Sequence, residues 1–330
     1  MRIGSKTAKA VFSLLAAVLL TLSATGVTSA AAAQRQADDG ARVYQEQWIG
    51  PRELDVRMQS PALGRKASMR LLLPPGWART SPRTWPVVDL LGGCCEPAHD
   101  YRSWTDFTDI EQFAKDKNVI VAMPSDGING NYSDWWNFGK YGPPNWEKFH
   151  LDEMRQILER NYRAGTKRAI AGLSAGAYGA MEYASRRPGM FGAAAAFSGI
   201  LNTRAPSGQV SVLFGTLRSD QVPFALWGNP VTQSGIWRAH NPFDNADKLR
   251  GTRLFVSAGN GLSTDLDPPD QTPAANLLEP PTLANSLGFV AKLKLLGIPV
   301  TTDFYGAGTH SWPYWFRELQ RAWPLLTKGF

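Results

Sequence analysis

Ser174 has the setting that points most directly to chemistry. It stands in RAIAGLSAGAYGAM (168–181), where an apolar strand-like run meets Gly172 and an alanine-rich helical pattern follows. Gly172-Leu173-Ser174-Ala175-Gly176 is a full GxSxG match lying between strand and helix, the context in which that motif forms a nucleophile elbow. A turn this sharp would make flanking side chains collide, so glycine is needed on either side of the serine. The same turn lifts the hydroxyl above the sheet and points the first amides of the helix at whatever the hydroxyl attacks.

A serine hydroxyl is a weak nucleophile, so it requires a base held in place by a carboxylate, and on this scaffold the chain order is serine, acid, histidine. Of the four histidines, His99 and His150 precede the serine, which predicts surface or loop positions for both, and His240 falls ahead of the strand-like run at 253–259, too early for the base. His310, in DFYGAGTHSWPYW, follows a strand and a glycine-rich loop and opens the last helical pattern. It is the expected base. The acid is expected after 253–259, where Asp265, Asp267, Asp270 and Glu279 all qualify and spacing separates none of them. The oxyanion needs two amides. One is that of Ala175, and the other is expected in LLGGCCEPAHDYRSW after the run at 86–91, where two glycines allow close approach and Cys94 supplies the N–H.

Strand-like runs occur at 69–74, 86–91, 119–124, 168–172, 192–199, 253–259 and 299–306, and helical periodicity at 104–117, 146–162, 175–187, 282–296 and 312–326. This alternation predicts an α/β fold with one mostly parallel, doubly wound sheet and helices on both faces. Segments 201–245 and 259–281 are rich in Gly, Pro and Asn, and they are expected as loop insertions over the carboxyl edge of the sheet, where ligands of such sheets bind.

The first 33 residues read as a secretory signal peptide: Arg2, Lys6 and Lys9, an apolar middle at 10–22, and an Ala-x-Ala-like exit with cleavage near Ala30 or Ala33. The apolar part is short for a membrane span. A single domain from 34 to 330 is expected in the extracellular space, and at 43% hydrophobic it can build a large core. Three positive charges belong to the leader, so the formal +7 falls to +4 in the remainder. No basic stripe with interleaved aromatics is present, which argues against nucleic acid, while weak association with an anionic cell wall or membrane surface is compatible with the charge. The only cysteines, Cys94 and Cys95, are adjacent. Their Cα atoms must lie about 3.8 Å apart, so a bridge between them would be strained and could staple nothing distant. Two adjacent thiols and four dispersed histidines have no metal-ligand spacing, so no metal is expected.

YSDWW (132–136), NWEKFHLDEM (145–154), AIAGLSAGAYGAM, SAGNG (257–261), LLE (277–279) and GTHSWPYW (308–315) together resemble the antigen 85 and corynebacterial mycolyltransferase family, an esterase D-like branch of the α/β-hydrolases. The resemblance runs from about Ser60 to the C-terminus. It implies an α/β-hydrolase fold and a secreted serine esterase or acyltransferase that forms an acyl-serine and passes the acyl group to water, a sugar hydroxyl or a glycerol lipid, with no cofactor. In that family the acid is a glutamate just before the helix that precedes the histidine loop, and the matching residue here is Glu279. The family's trehalose-holding aspartate and arginine correspond to Gly92 and Cys95, which speaks against trehalose as the acceptor. Trp312, Trp135 and Trp136 are expected to line the pocket, since sugar faces and acyl chains both stack on such rings. The rival reading is a catalytically inactive cell-wall or extracellular binding protein on the same fold.

Overall fold

Runs such as IVAMP and AAAAF, apolar at every position, can be satisfied as strands only when both faces of the sheet are covered. The computed structural model, which describes residues 35–330, contains nine strands among them. These are β1 (Arg42–Trp48), β2 (Glu53–Ser60), β3 (Arg65–Leu72), β4 (Trp85–Leu91), β5 (Ile120–Pro124), β6 (Ala164–Leu173), β7 (Ala193–Phe197), β8 (Arg253–Ala258) and β9 (Thr301–Phe304). They form one sheet in the order β1-β2-β3-β5-β4-β6-β7-β8-β9. From β5 to β9 every pairing is parallel, whereas β1, β2 and β3 add an antiparallel edge. The leader-like residues 1–33 lie outside the described residues.

The helices are α1 (Ser103–Phe107), α2 (Ile110–Ala114), α3 (Trp146–Lys148), α4 (Arg155–Asn161), α5 (Ala175–Arg186), α6 (Pro206–Arg218), α7 (Ser234–Ala239), α8 (Pro273–Leu295) and α9 (Trp312–Leu326), with a π-helical stretch joining α3 to α4. The period-2 alternation of the strands divides the core. Ala169, Ala171, Ala193 and Ala195 face α1, α2 and α9 on one side, and Ile170, Ala194, Ala196 and Val256 face α5 and α8 on the other. Small alanines at the sheet centre admit the large rings of Trp315 and Trp323 from α9. Burying each such ring is worth roughly 1.5–3 kcal/mol, so the amphipathic last helix is held by its own aromatic face.

Three features depart from the sequence expectation. β1 and β2 were not signalled; RVYQEQW of β1 is polar at most positions and buries almost nothing at the sheet edge. α8 starts at Pro273, nine residues before the expected 282, and runs through Pro280 and Pro281. Proline's φ suits a helix, and only its missing N–H and its ring's crowding of the preceding turn oppose one. The segments expected as loops at 201–245 and 259–281 therefore hold helices: α6 and α7 in the first, the start of α8 in the second.

Candidate active site

The site is assembled at the carboxyl ends of the parallel strands, one residue past each end. Gly92 follows β4, Ser174 follows β6, Ser198 follows β7 and Gly259 follows β8. Ser174 sits at φ 52°, ψ −118°, a region that L-residues rarely occupy and that is characteristic of strained functional turns. The flanking glycines have a direct steric cause. A Cβ on Gly172 would lie 2.3 Å from the Gly176 carbonyl oxygen, and one on Gly176 would lie 2.3 Å from the Gly92 carbonyl oxygen. The nucleophile turn and the loop after β4 are thus in backbone-to-backbone contact.

Ser174 Oγ is 3.0 Å from His310 Nε2, and His310 Nδ1 is 2.7 Å from Glu279 Oε2. Glu279 is wholly buried, and its other oxygen accepts Ser198 Oγ–H and the Gly259 N–H, each at 2.7 Å. The protons in this chain can be assigned by elimination. Trp315 Nε1–H can only donate, and it donates to Ser198 Oγ at 3.1 Å. The single proton of Ser198 therefore goes to Glu279 Oε1. Glu279 then accepts from the Nδ1–H of His310, which leaves Nε2 as the lone pair facing the Ser174 hydroxyl. The imidazole is further fixed by edge-on contact with Trp315, centroids 4.9 Å apart, and the backbone N–H of His310 donates to the Ala275 carbonyl in the first turn of α8 at 3.0 Å.

The structure brings Ser174, His310 and Glu279 together and leaves the other candidates apart. Glu279 lies inside α8, as its seventh residue, rather than ahead of the helix as the resemblance implied. Asp265 and Asp270 are exposed. Asp267 accepts from Thr309 Oγ1 (2.5 Å), the Thr264 N–H (2.7 Å) and Tyr314 OH (3.0 Å). Desolvation opposes its charge, but these bonds outweigh it and hold the carboxyl below its usual range, so Asp267 braces the loop beside His310. His99 pairs with Asp106 at the surface. His150, expected at the surface or in a loop, is instead buried between Tyr183 OH and the Ser125 carbonyl, and burial depresses it to about 4. His240 is buried against Glu182.

On the oxyanion side, Ala175 is the first residue of α5, and the pocket wall beside Ser174 includes Ala175, Cys94 and Cys95. The Cys95 N–H is committed to the Ile128 carbonyl at 2.7 Å. The two cysteines are joined to each other, although adjacency argued against a bridge. The pocket measures about 170 Å³ and is walled mainly by apolar groups, among them Val212 and Phe214 of α6, Tyr178, Trp227 and Leu278.

The three tryptophans expected in that wall are elsewhere, which corrects the sequence reading. Trp135 is buried in the core with its indole N–H on the Gly130 carbonyl. Trp136 lies beside Phe138 and borders a separate depression near Tyr141 and Ile236. Trp312 is packed between Trp104, Phe107 and Trp315. Sequence reasoning missed Ser198, Gly259 and Trp315. The available signal was the position of Ser198 and Gly259, each directly after a parallel strand, as Ser174 is.

A model of the esterase family matches residues 60–326. The chain belongs to the esterase family. Esterase Rv1288 of Mycobacterium tuberculosis H37Rv is 33% identical over 267 residues, covering 79% of this chain and 56% of the relative, so the chain spans little more than half that protein's length. The diacylglycerol acyltransferase/mycolyltransferase Ag85A of the same species is 28% identical over 285 residues, covering 83% of this chain and 80% of the relative. Among solved structures, M. tuberculosis MPT51 (FbpC1) superposes with a TM-score of 0.67 at 23% identity, covering 80% of this chain and 93% of that one. This esterase family member thus has an antigen 85-like α/β-hydrolase fold. Among the described residues no helix is long and apolar enough to cross a membrane.

Proposed function

We propose that this chain is a secreted serine carboxylester hydrolase or acyltransferase that works through an acyl-serine intermediate. The observation that carries the reading is the continuous hydrogen-bonded series Ser174 Oγ, His310 Nε2, His310 Nδ1 and Glu279 Oε2, in which donor counting leaves Nε2 free to take the serine proton. In the first half-reaction Ser174 Oγ attacks the ester carbonyl as its proton passes to His310, Glu279 stabilises the imidazolium, and the amides of Ala175 and Cys94 bind the oxyanion. The tetrahedral adduct collapses with the alcohol leaving and taking the proton from His310. In the second half His310 activates water or an acceptor hydroxyl, which attacks the acyl-serine and frees Ser174. Every group named belongs to the chain.

The apolar pocket supports an acyl chain as the group bound beside Ser174. Gly92 and Cys95 offer no side-chain charge where the mycolyltransferases hold trehalose, so water, another sugar or a glycerol-type alcohol is the acceptor. The leader and the modest positive charge of the remainder support export, with weak association to an anionic wall or membrane surface.

The decisive experiment incubates the chain from residue 34 with a p-nitrophenyl ester and with a fluorophosphonate probe. Chromophore release and labelling are expected, and Ser174→Ala is expected to abolish labelling and lower kcat by about 10⁴-fold or more. An unlabelled, inactive wild-type protein would leave the binding-protein reading. Adding trehalose, glucose or glycerol with an acyl donor separates transferase from hydrolase: a new ester identifies the acceptor, and hydrolysis alone with every alcohol rules the transfer out.

A further inference from the structure

The bridge between Cys94 and Cys95 lies in the wall of the pocket that holds Ser174, Ala175 and His310. It can tie no distant segments together, so its effect must be local. The chain before it is pinned on three sides. The Leu91 carbonyl accepts the indole N–H of Trp104 at 3.0 Å and the Gly92 carbonyl accepts Tyr132 OH at 2.8 Å. A Cβ on Gly93 would lie 2.9 Å from Leu173 Cδ1 and 3.6 Å from Ser174 Cβ, so the loop rests directly on the nucleophile turn. Past the bridge, Cys95 stands at φ 73°, in the left-handed region that a β-carbon disfavours, with its N–H on the Ile128 carbonyl. A non-glycine residue stays in that region only when its surroundings over-determine it. The ring closed by the two side chains is the covalent constraint acting on that torsion.

We infer that the Cys94–Cys95 disulfide is a positioning element for the oxyanion site: it holds Cys95 in the left-handed conformation and thereby aims the preceding amide, that of Cys94, at the position the ester oxygen will occupy. The inference rests on the acyl-serine reading above. Its corollary is that a dithiol switches the site off. One thiolate of the reductant attacks a cysteine sulfur and expels the other cysteine as a thiolate. The second thiol closes on the mixed disulfide and leaves as the cyclic disulfide of the reductant. Two electrons and two protons pass to the cysteines, and Cys95, now an ordinary residue at positive φ, relaxes and carries the Cys94 amide out of line. Neither sulfur touches the substrate carbonyl in this scheme.

The test measures kcat and KM for a p-nitrophenyl ester with the oxidised protein, and again after incubation with dithiothreitol and removal of the reagent by gel filtration under argon, with thiol titration of both samples. The expected result is two new thiols and a fall in kcat of tenfold or more with KM little changed, because an oxyanion donor acts in the transition state. Reoxidation restores kcat. Cys95→Ala is expected to show the low kcat without reductant, whereas Cys95→Gly, which adopts φ 73° at no steric cost, regains most of the difference, and neither responds to the dithiol. A merely stabilising bridge would lower the melting temperature and leave kcat of the folded enzyme intact. That outcome, or equal kcat in Cys95→Ala and Cys95→Gly, overturns the inference. An oxidised protein with neither esterase activity nor fluorophosphonate labelling at Ser174 overturns instead the function on which it rests.

Discussion

Among the described residues, two histidines pair with glutamates that are wholly buried. His310 Nδ1 lies 2.7 Å from Glu279, and His240 Nδ1 lies 2.9 Å from Glu182. By pair geometry alone they are equivalent. They differ in what completes them. Glu279 has both oxygens bonded, to His310 on one side and to Ser198 and the Gly259 amide on the other, and its histidine turns the far nitrogen to Ser174. Glu182 leaves Oε2 without a hydrogen-bond partner, and burial, opposed by Arg186, raises its pKa to about 8. The His240 ring lies flat on Trp227, 9° between planes, and burial lowers it to about 4. Burial thus favours the neutral form of both partners of the second pair. A histidine beside a carboxylate is common core architecture. The first pair adds a carboxylate with both oxygens bonded and a distal nitrogen that faces an O–H.

The sharpest way to break this comparison is to make the same change in both acids. Glu279→Gln is expected to lower kcat for a p-nitrophenyl ester by about 10³- to 10⁴-fold, since the amide can present its NH₂ to Nδ1 and enforce the wrong tautomer. Glu182→Gln, replacing a neutral acid by a neutral amide of the same shape, is expected to keep kcat within about threefold. Equal losses at the two positions would mean that the pairs do not differ as described. Next in size is stability. The Glu182 pKa is raised on folding, so folded protein holds a proton that the unfolded chain releases above its ordinary value of 4.5. The contribution is full below pH 4.5 and is lost as pH rises towards 8. In denaturant titrations, wild type should lose on the order of 3 kcal/mol relative to Glu182→Gln between pH 5 and pH 8. A difference independent of pH would show that Glu182 is charged in the folded state. The smallest effect is expected at Ser198→Ala, which removes one of the donors to Glu279 and leaves the Trp315 indole N–H without its acceptor. A fall in kcat of about tenfold with KM unchanged is expected, in keeping with loss of one hydrogen bond to a charged group.

The order serine, acid, histidine and the glycines around Ser174 were readable in the chain, because each follows from a local steric or chemical need that neighbouring residues reveal. The parallel strands were readable for the same reason: β5 and β7 are apolar at every position. β1 was not, since an edge strand takes its hydrogen bonds from β2 and asks little of its own side chains. The choice among four acids rested on family resemblance. What separates Glu279 from Asp267 is which element carries it to the imidazole, a tertiary fact. The tryptophans show the reverse limit. Aromatic character predicts burial well and says nothing of which cavity or core receives the ring, so Trp135, Trp136 and Trp312 were placed in the wrong wall.

The bond from the His310 amide to the Ala275 carbonyl ties the loop bearing the imidazole to the opening turn of the helix that carries Glu279. Fraying of that turn would release the backbone of His310, while Glu279, one turn further on, keeps its bonds to Ser198 and the Gly259 amide. The rate at which this single amide exchanges its proton for deuterium therefore reports how often the folded molecule visits a state with the imidazole out of place, without any ligand being added.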